Sequence, residues 1–362
     1  MKLDLDLQLT KPAFKLTGKL QLEWPKAGIH VLFGPSGCGK SHLLRSICGL
    51  EKAQGHISFN DATWLDSPNK KEVPCHKRNV AMVFQDSQLF PHLNVKQNLL
   101  FAFKRSSATL QDLESAIDHL KISHLLEHNV KQLSGGEKQR VSICRSILSK
   151  PDLLLMDEPL ASLDWQSKAE ILPYIQRICH EWQLPILYVS HSLDEVMQLA
   201  DQIIFMEKSD GVSCIKKVGP LIDLLQDIDN PFNQSSHACS IIEGMWVNEP
   251  FLQDGLAKIQ LEEQAIYLNQ KHYHQFDENV RLTINASDVS ISLSHALDSS
   301  ILNILNGCIQ AIKYEESGHC LIQMLVDGQT LLSRISAHSA KRLNLKVGQN
   351  VFAQIKAVAL SK

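Results

Sequence analysis

A glycine-rich turn between an apolar run and an apolar helix constrains the fold of this chain more than any other feature. Residues 34–41 read Gly-Pro-Ser-Gly-Cys-Gly-Lys-Ser, which satisfies the pattern GxxxxGK(S/T) without a mismatch. The turn follows the apolar residues 29–33, and the helix after it carries Leu43, Leu44 and Ile47. A strand, this turn and a helix in that order predict a phosphate-binding loop in an α/β fold.

The same turn supplies the predicted phosphate ligands. Its glycines allow backbone N–H groups to turn inward as an anion nest, and the helix N-terminus adds partial positive charge. Lys40 would reach the β and γ phosphates of a nucleotide, and Ser41 would bind Mg²⁺. ATP and Mg²⁺ are therefore the expected cofactors, and the predicted ATP-binding residues are Gly34, Pro35, Ser36, Gly37, Cys38, Gly39, Lys40, Ser41 and His42.

Length and composition predict a water-soluble protein with more than one core. A chain of 362 residues is too long for one ordinary domain. A net charge of -3 argues against a nucleic-acid partner, because nucleic-acid binders usually carry a basic patch. No apolar run approaches the roughly 20 residues that a membrane-spanning helix needs. The nine cysteines contain no CxxC, so neither a disulfide framework nor a zinc site is expected.

The first ~225 residues alternate apolar runs with amphipathic helices, which predicts an α/β domain with a largely parallel sheet. A helical insert is expected beside this sheet at residues 93–130. A second set of short strands near the N-terminus is predicted to be antiparallel. The predicted parallel strands are 29–33, 80–84, 153–156, 186–189 and 202–206, and the predicted antiparallel strands are 3–9, 20–24 and 56–59.

The tail beyond a polar linker at residues 227–240 is predicted to be a small, OB-like β-barrel. Asp327-Gly328 between two β runs is a hairpin signal. The flanking strands are predicted at 321–326 and 330–335, a helix at 339–345 and a closing strand at 351–358. The predicted domains are 1–228, a nucleotide-binding domain; 229–294, a linker with the first part of the β-rich tail; and 295–362, the barrel.

Two carboxylates end the buried strand predicted at residues 153–156. Asp157 at the strand tip is placed to hold Mg²⁺, and Glu158 would act as general base toward the attacking water. Paired acids after an apolar strand are usually only a solvated strand end. The phosphate-binding loop upstream favours the catalytic interpretation here.

Residues 133–140, Leu-Ser-Gly-Gly-Glu-Lys-Gln-Arg, lie between the phosphate-binding loop and the acidic strand. An LSGGE-type element in this position is typical of ATP-binding-cassette (ABC) proteins, in which two cassettes close head to tail over two ATP molecules. Ser134, Gly135 and Gly136 would then contact the γ-phosphate bound to the other protomer. Ser134 and Glu137 also fit a helix capping box, and both interpretations can hold. Arg140 and Arg145 are most simply surface or packing charges.

Three further residues are predicted to contact nucleotide, metal or the second protomer. Gln85 follows the strand at 80–84 and would contact Mg²⁺ or water. His191 follows the strand at 186–189 and would reach the γ-phosphate. Asp164, just after the acidic pair, would cross the dimer interface in trans. The predicted catalytic residues are thus Glu158, His191 and Gln85, and the predicted Mg²⁺ ligands are Ser41, Gln85 and Asp157.

The residue that stacks on the adenine ring stays open at this level. ABC proteins usually use an aromatic residue upstream of the phosphate-binding loop. Phe14 is the first candidate and Trp24 is the alternative, and the sequence does not decide between them.

In this order, residues 83–92, 133–140 and 157–164 resemble the ATP-binding subunits of ABC importers. Residues 172–177, 187–195, 284–290 and 353–358 narrow the resemblance to the subunits of molybdate importers. The resemblance implies a homodimer attached to two membrane permease subunits. It implies a peripheral location at the cytoplasmic face of the inner membrane and supply by an oxyanion-binding protein. Residues 85–98 would receive the permease, with Phe90 and Leu93 as apolar contacts.

The tail resembles a Mop- or TOBE-like domain, which implies binding of molybdate or tungstate. This chain has Leu302 where that pattern commonly has an arginine, so the charge available to a dianion is reduced. The remaining candidate ligands are Ser300, Asn303, Ser336 and Lys356, and ordinary polar barrel residues are an equal alternative for them.

Two other functions are compatible with the same motor motifs. In the first, the same motor would drive import of sulfate, phosphate or ferric iron. The motor motifs do not distinguish these cargoes, because the permease and the binding protein select the cargo. In the second, the chain would be a soluble, non-transport ABC ATPase. Such proteins typically carry two cassettes or a long coiled-coil insertion, and this chain has neither.

Overall fold

The computed structural model of the chain divides at Pro220 into two units, Met1–Pro220 and Leu221–Lys362. The structure describes residues 1–12, 14–24, 27–161, 163–209, 211–226, 228, 238–247, 256–269, 279–295, 300–315, 317–356 and 359–361. Among these residues no helix has both the length and the apolar composition needed to cross a membrane.

One mixed sheet organises the first unit. Its strands are β1 (Lys2–Lys11), β2 (Phe14–Glu23), β3 (Ile29–Phe33), β4 (Gln54–Phe59), β5 (Ala62–Asp66), β6 (Lys71–Glu72), β7 (Val80–Val83), β8 (Leu153–Asp157), β9 (Ile186–Val189), β10 (Gln202–Ser209) and β11 (Val212–Pro220). Their order is β6-β5-β4-β1-β2-β11-β10-β3-β9-β8-β7. The five strands from β10 to β7 run parallel, whereas those from β6 to β2 run antiparallel. The predicted parallel core and antiparallel subdomain are both confirmed.

Burial explains the difference between the two halves of the sheet. All five residues of β8 are buried, as expected for a parallel strand that is covered on both faces. In β1, Leu3, Leu5, Leu7 and Leu9 are buried while polar residues alternate with them. That period of two gives one core face and one solvent face.

The helices of the first unit are α1 (Lys40–Cys48), α2 (Val95–Phe103), α3 (Leu110–His119), α4 (Gly135–Leu148), α5 (Trp165–Glu181) and α6 (Leu193–Leu199). Helices α2 and α3 form the predicted insert between β7 and β8. Both begin with a capping box, built on Asn94 and Thr109 respectively. These local caps satisfy backbone N–H groups that helix starts leave unpaired.

The parallel core fixes the position of the polar turns. Because β3, β7, β8 and β9 are parallel neighbours in one sheet, their carboxyl ends lie at the same edge. The residues that follow them are the phosphate-binding loop 34–41, then Gln85, Glu158 and His191. Ligands bind at this edge in open α/β sheets.

Over its described residues, the second unit contains helices α7 (Leu221–Gln226) and α8 (Ala337–Arg342) and two five-stranded antiparallel sheets. The strands are β12 (Cys239–Val247), β13 (Leu256–Gln260), β14 (Ala265–Asn269), β15 (Asn279–Asn285), β16 (Val289–Ser292), β17 (Asn303–Tyr314), β18 (His319–Val326), β19 (Gln329–Ser336), β20 (Asn350–Ile355) and β21 (Ala359–Ser361). The sheet orders are β14-β13-β12-β15-β21 and β16-β20-β17-β18-β19.

The second of these sheets is curled into a half-barrel. Its edge strands β16 and β19 meet, because the Ser333 hydroxyl donates to the carbonyl of Val289 at 2.6 Å. The predicted hairpin is confirmed: Asp327 and Gly328 have φ of 45° and 75°, as a two-residue type I′ turn requires. The predicted closing strand is β20, which ends at Ile355, and residues 357–358 lie outside the described part of the chain.

Candidate functional site

The phosphate-binding loop is wrapped around the side chain of Lys40. This residue is 5% exposed, and its Nζ donates to the carbonyls of Gly34 and Pro35 at 2.8 and 2.9 Å. A Cβ added to Gly34 would lie 2.1 Å from the carbonyl oxygen of Met206, so only glycine fits there. Gly39 precedes α1 in the left-handed region, with φ of 91°. The loop thus presents α1's N-terminus and a preplaced ammonium group at one point.

The two candidates for the adenine platform occupy different environments. Trp24 is 1% exposed and stacks on His30 with ring centroids 4.3 Å apart, so a nucleotide base cannot reach it. Phe14 instead borders the phosphate-binding loop, since a Cβ on Gly39 would lie 2.4 Å from its Cζ. Its ring centroid is 4.7 Å from that of His42. Phe14 is the candidate that lies beside the loop.

Ser41 and Asp157 meet at the start of α1 and the end of β8. The Ser41 hydroxyl donates to Asp157 Oδ1 at 2.7 Å. Asp157 is only 3% exposed, and burial raises the pKa of its carboxyl above the usual aspartate value. A hydroxyl and a carboxylate oxygen at one point are hard ligands of the kind that Mg²⁺ prefers. The residues present therefore fit a magnesium ion.

Glu158 and His191 form a second pair at the same edge. His191 Nδ1 lies 3.1 Å from Glu158 Oε2. Glu158 has φ of 45°, and its backbone N–H donates to the carbonyl of Val189 at 3.1 Å. This non-glycine positive φ turns the chain sharply just after β8. A carboxylate and an imidazole, both partly solvent-accessible, can together orient and deprotonate a water molecule.

The strand register places Gln85 and Glu158 at the same edge of the sheet. Val83 of β7 pairs with Met156 of β8, and Gln85 and Glu158 each lie two residues after these paired residues. The loop after β7 is itself held by a residue that the sequence analysis did not identify, Gln139. This side chain is fully buried, donates to the carbonyl of Phe84 at 3.0 Å and accepts from the Ser87 hydroxyl at 2.7 Å.

Arg145 is a packing residue with a specific partner. Its Nη2 donates to the carbonyl of Gln88 at 2.6 Å, and its guanidinium lies 5.0 Å from the ring centroid of Phe90. Burial lowers the pKa of Arg145 from its usual value. Arg145 and Gln139 both belong to α4, so this helix holds the loop that follows β7 at two points.

The capping box at the start of α4 is confirmed. The Ser134 hydroxyl and backbone N–H each donate to Glu137 Oε2 at 2.8 Å, while Ser134 Oγ accepts from the Glu137 N–H at 3.3 Å. Both hydrogen bonds that Glu137 accepts lower the pKa of its carboxyl, and the one from the Ser134 hydroxyl has the larger effect. A Cβ on Gly135 would meet nothing within 4 Å, so its backbone is open to a ligand.

The residues predicted to act in trans, 134–136 and Asp164, lie in two neighbouring segments of the first unit. A Cβ on Gly136 would lie 2.7 Å from Leu163 Cδ2, so the start of α4 touches the segment before α5. Asp164 caps α5 by accepting from the Ser167 N–H at 2.9 Å. The next residue, Trp165, is 75% exposed.

Two of the four tail candidates lie at the same end of the second sheet of the second unit. Asn303 of β17 pairs with Ile355 of β20, and Lys356 is the residue after Ile355. Ser300 lies three residues before Asn303 in the sequence. The Asn303 amide is already used: it accepts from the Tyr267 N–H at 2.7 Å and donates to the Tyr267 carbonyl at 2.9 Å. Ser336 caps α8 by accepting from the Ser339 N–H at 3.0 Å.

Comparisons with known proteins agree with this fold. The ABC transporter family model matches residues 18–161, and the TOBE domain model matches residues 299–361. Two solved structures share the fold. One is cbiO1 from Clostridium perfringens, part of the ABC transporter complex cbiONQ, with a TM-score of 0.51 and 23% identity, over 62% of this chain and 90% of that one. The other is a dimeric ATP-binding cassette in a post-hydrolysis state bound to ADP and Pi. Its TM-score is 0.50 and its identity 22%, over 61% of this chain and 98% of that one.

Curated relatives match over nearly the whole chain. The molybdenum import ATP-binding protein ModC of Pseudomonas aeruginosa is 41% identical over 96% of both chains. The ModC protein of Pseudomonas savastanoi pv. phaseolicola is 40% identical over 99% of this chain and 98% of its own. That of Methylococcus capsulatus is 39% identical over 96% of both chains. At this identity and coverage, and with the phosphate-binding loop, the acidic strand end and α4 in place, the chain belongs to the ModC family of ABC transporter ATP-binding proteins.

Proposed function

We propose that this chain is the ATP-hydrolysing subunit of a molybdate importer, with tungstate as an alternative cargo. The observation that carries the proposal is the pair of contacts at one sheet edge, Ser41 with Asp157 and His191 with Glu158, in a ModC-family chain. The first contact suits a metal–phosphate complex and the second suits water activation. The family name of the relatives supplies the cargo.

ATP would bind with its phosphates against the N-terminus of α1 and its adenine on Phe14. Lys40 Nζ, which donates to the carbonyls of Gly34 and Pro35, would exchange these partners for the β and γ phosphate oxygens. His42, beside Phe14, would lie near the α-phosphate. Ser41, Asp157 and Gln85 would hold Mg²⁺, which when bound neutralises charge on the β and γ phosphates.

Hydrolysis would use the second pair. Glu158 accepts a proton from the water that attacks the γ-phosphorus, while the bond to the β–γ bridging oxygen breaks and ADP leaves. His191 donates to a γ-phosphate oxygen and keeps the reacting group in line. Its 3.1 Å approach to Glu158 holds the two side chains within reach of one water molecule.

The second half of the site would come from another copy of this chain. Ser134, Gly135 and Gly136 would present the N-terminus of α4 to the partner's γ-phosphate, and Asp164 would contact the partner across the interface. The bare backbone at Gly135 and the exposed Trp165 beside Asp164 support this homodimer. Ser134 would have to release Glu137 from its hydroxyl when it contacts phosphate.

The homodimer would bind two membrane permease subunits at the cytoplasmic face of the inner membrane and transmit its movement to them. An oxyanion-binding protein would deliver the cargo to the permease. Residues 85–98 would receive the permease, with Phe90 and Leu93 as apolar contacts. Gln139 and Arg145 of α4 support this assignment, because Gln139 accepts from Ser87 and Arg145 donates to the carbonyl of Gln88, which joins that segment to α4. ATP-driven movement of α4 would thereby reach the permease surface.

Calorimetric titration of the purified full-length protein with molybdate, tungstate and sulfate tests the cargo. Saturable binding of molybdate and tungstate but not sulfate is expected at the tail, where Lys356, next to Ile355 of β20, supplies a positive charge. Sulfate binding alone would replace the cargo with sulfate. The motor is tested separately: absence of Mg²⁺-dependent ATP hydrolysis by the full-length protein would overturn the proposal.

A further inference from the structure

A buried carboxylate lies behind the turn that carries His191. Glu195, in the first turn of α6, is 4% exposed. Its Oε1 accepts a hydrogen bond from Lys168 Nζ at 2.8 Å, and its Oε2 accepts from the hydroxyls of Tyr188 and Ser190, both at 2.8 Å. One cation and two hydroxyl donors therefore match the buried charge. A buried ion satisfied in this way resists displacement, because breaking any contact leaves a desolvated charge.

The carboxylate fixes the turn on both sides of His191. Ser190 Oγ donates to Glu195 and also accepts from the Ser192 N–H at 2.9 Å. The residues before and after the histidine are thus tied to a single hydroxyl, which is itself tied to Glu195. The imidazole of His191 is exposed, but its backbone is held so that Nδ1 lies 3.1 Å from Glu158 Oε2.

The cation comes from the helix that begins at the proposed dimer interface. Lys168 lies in the first turn of α5, and its backbone N–H donates to the carbonyl of Asp164 at 3.0 Å. Asp164 is the cap of that helix and is proposed to contact the second protomer. The Lys168–Glu195 ion pair therefore joins the Asp164 turn directly to the His191 turn.

We infer that Glu195, held by Lys168, is a positioning residue that couples partner contact at Asp164 to the placement of His191. The inference rests on the proposed ATPase function. Movement of Asp164 on dimer closure is transmitted through the first turn of α5 to the buried carboxylate. The carboxylate then sets the His191 turn for hydrolysis. ATP binding to the phosphate-binding loop does not depend on this link.

Steady-state ATP hydrolysis by the full-length protein provides the test. Glu195→Gln preserves side-chain size and removes the charge, and Lys168→Met removes the cation. Each is expected to lower kcat about tenfold with KM for ATP changed less than about twofold, since misplaced catalytic groups affect the chemical step. The double variant is expected to fall no further than either single variant, because both residues act through one ion pair.

Three further variants separate positioning from general destabilisation. Lys168→Arg keeps the cation and is expected to retain kcat within about twofold. Ser190→Ala leaves the ion pair intact but frees the His191 turn, and is expected to lower kcat about fivefold. Lys216→Met removes a more exposed Lys–Glu contact, 2.7 Å to Glu207, between β11 and β10 and serves as the control with unchanged kcat.

The outcomes distinguish this inference from the proposed function. Unchanged kcat in Glu195→Gln and Lys168→Met, with only a lower Tm, would reduce the ion pair to a structural role while the ATPase function stands. Additive losses in the double variant would also overturn the coupling. Absence of ATP hydrolysis in the unmodified protein, or full turnover in Glu158→Gln, would instead contradict the proposed function.

Discussion

The hydroxyl of Ser41 donates to Asp157 at 2.7 Å across 116 residues of sequence, and this contact joins the phosphate-binding loop to the acidic strand end. It forms because β3 and β8 are parallel strands separated only by β9, so their carboxyl ends share one sheet edge. Burial at this position disfavours the charged form of the Asp157 carboxylate, whereas the hydrogen bond from Ser41 favours it.

Replacement of Asp157 by asparagine is expected to stabilise the nucleotide-free protein while removing Mg²⁺-dependent hydrolysis. Burial raises the pKa of Asp157 in the folded state, so folding favours the protonated carboxyl. The free energy of unfolding therefore falls as pH rises from the pKa of the unfolded state, about 3.9, through the higher pKa of the folded state. Well above that window, Asp157→Asn is expected to raise Tm by roughly 2–4 °C. Thermal unfolding at pH 7 in EDTA measures this. A lower Tm would mean that attraction from Ser41, Arg45 and Lys40 outweighs desolvation.

Glu158→Gln is expected to lower kcat at least 100-fold while ATP still binds, because an amide cannot accept the proton of the attacking water. ATP-bound dimers should accumulate and elute as a larger species in gel filtration with ATP and Mg²⁺. Asp6→Asn, a change in an exposed carboxylate of β1, is the matched control and should hydrolyse normally. Normal turnover by Glu158→Gln would exclude Glu158 as the base.

Lys40→Ala is expected to abolish measurable ATP binding at micromolar nucleotide. The substitution removes the only ammonium group placed inside the phosphate-binding loop and also the hydrogen bonds to Gly34 and Pro35 that shape it. Equilibrium binding of a fluorescent ATP analogue measures the effect. Circular dichroism must show that the variant is folded, and retained micromolar affinity in the folded variant would contradict the assignment.

Phe14→Ala is expected to weaken ATP binding roughly fivefold, since an aromatic stacking contact contributes about 1 kcal/mol. Trp24→Phe is the comparison, because Trp24 is buried against His30. It should lower thermal stability without changing the dissociation constant for ATP. The reverse pattern, with affinity lost in Trp24→Phe alone, would transfer the adenine platform to Trp24.

Trp165 should report dimer closure. It is 75% exposed in one chain and follows Asp164, so the proposed homodimer would bury its indole. In the Glu158→Gln background, addition of ATP and Mg²⁺ is expected to shift tryptophan emission to shorter wavelength, and the shift should disappear in Trp165→Phe. An emission shift that persists without Trp165 would place the burial elsewhere.

Local patterns predicted a large part of the fold and the site. The phosphate-binding loop, the capping box of Ser134 with Glu137 and the turn at Asp327-Gly328 each depend on residues a few positions apart. Neighbouring residues determine these features through backbone conformation and short-range hydrogen bonds, so the sequence alone is sufficient. The strands of the parallel core were also predicted, because buried strands of this kind read as continuous apolar runs.

Contacts between distant residues were decided only by the tertiary structure. Phe14 and Trp24 are equivalent as aromatic residues upstream of the loop, but packing buries Trp24 against His30 and leaves Phe14 beside Gly39. Gln139 and Lys168 carried no signal of their partners, which lie 55 and 27 residues away. Sequence periodicity indicates which face of a helix is buried. It does not indicate which distant residue that face will contact, because the strand order and register that decide this are set by the whole sheet.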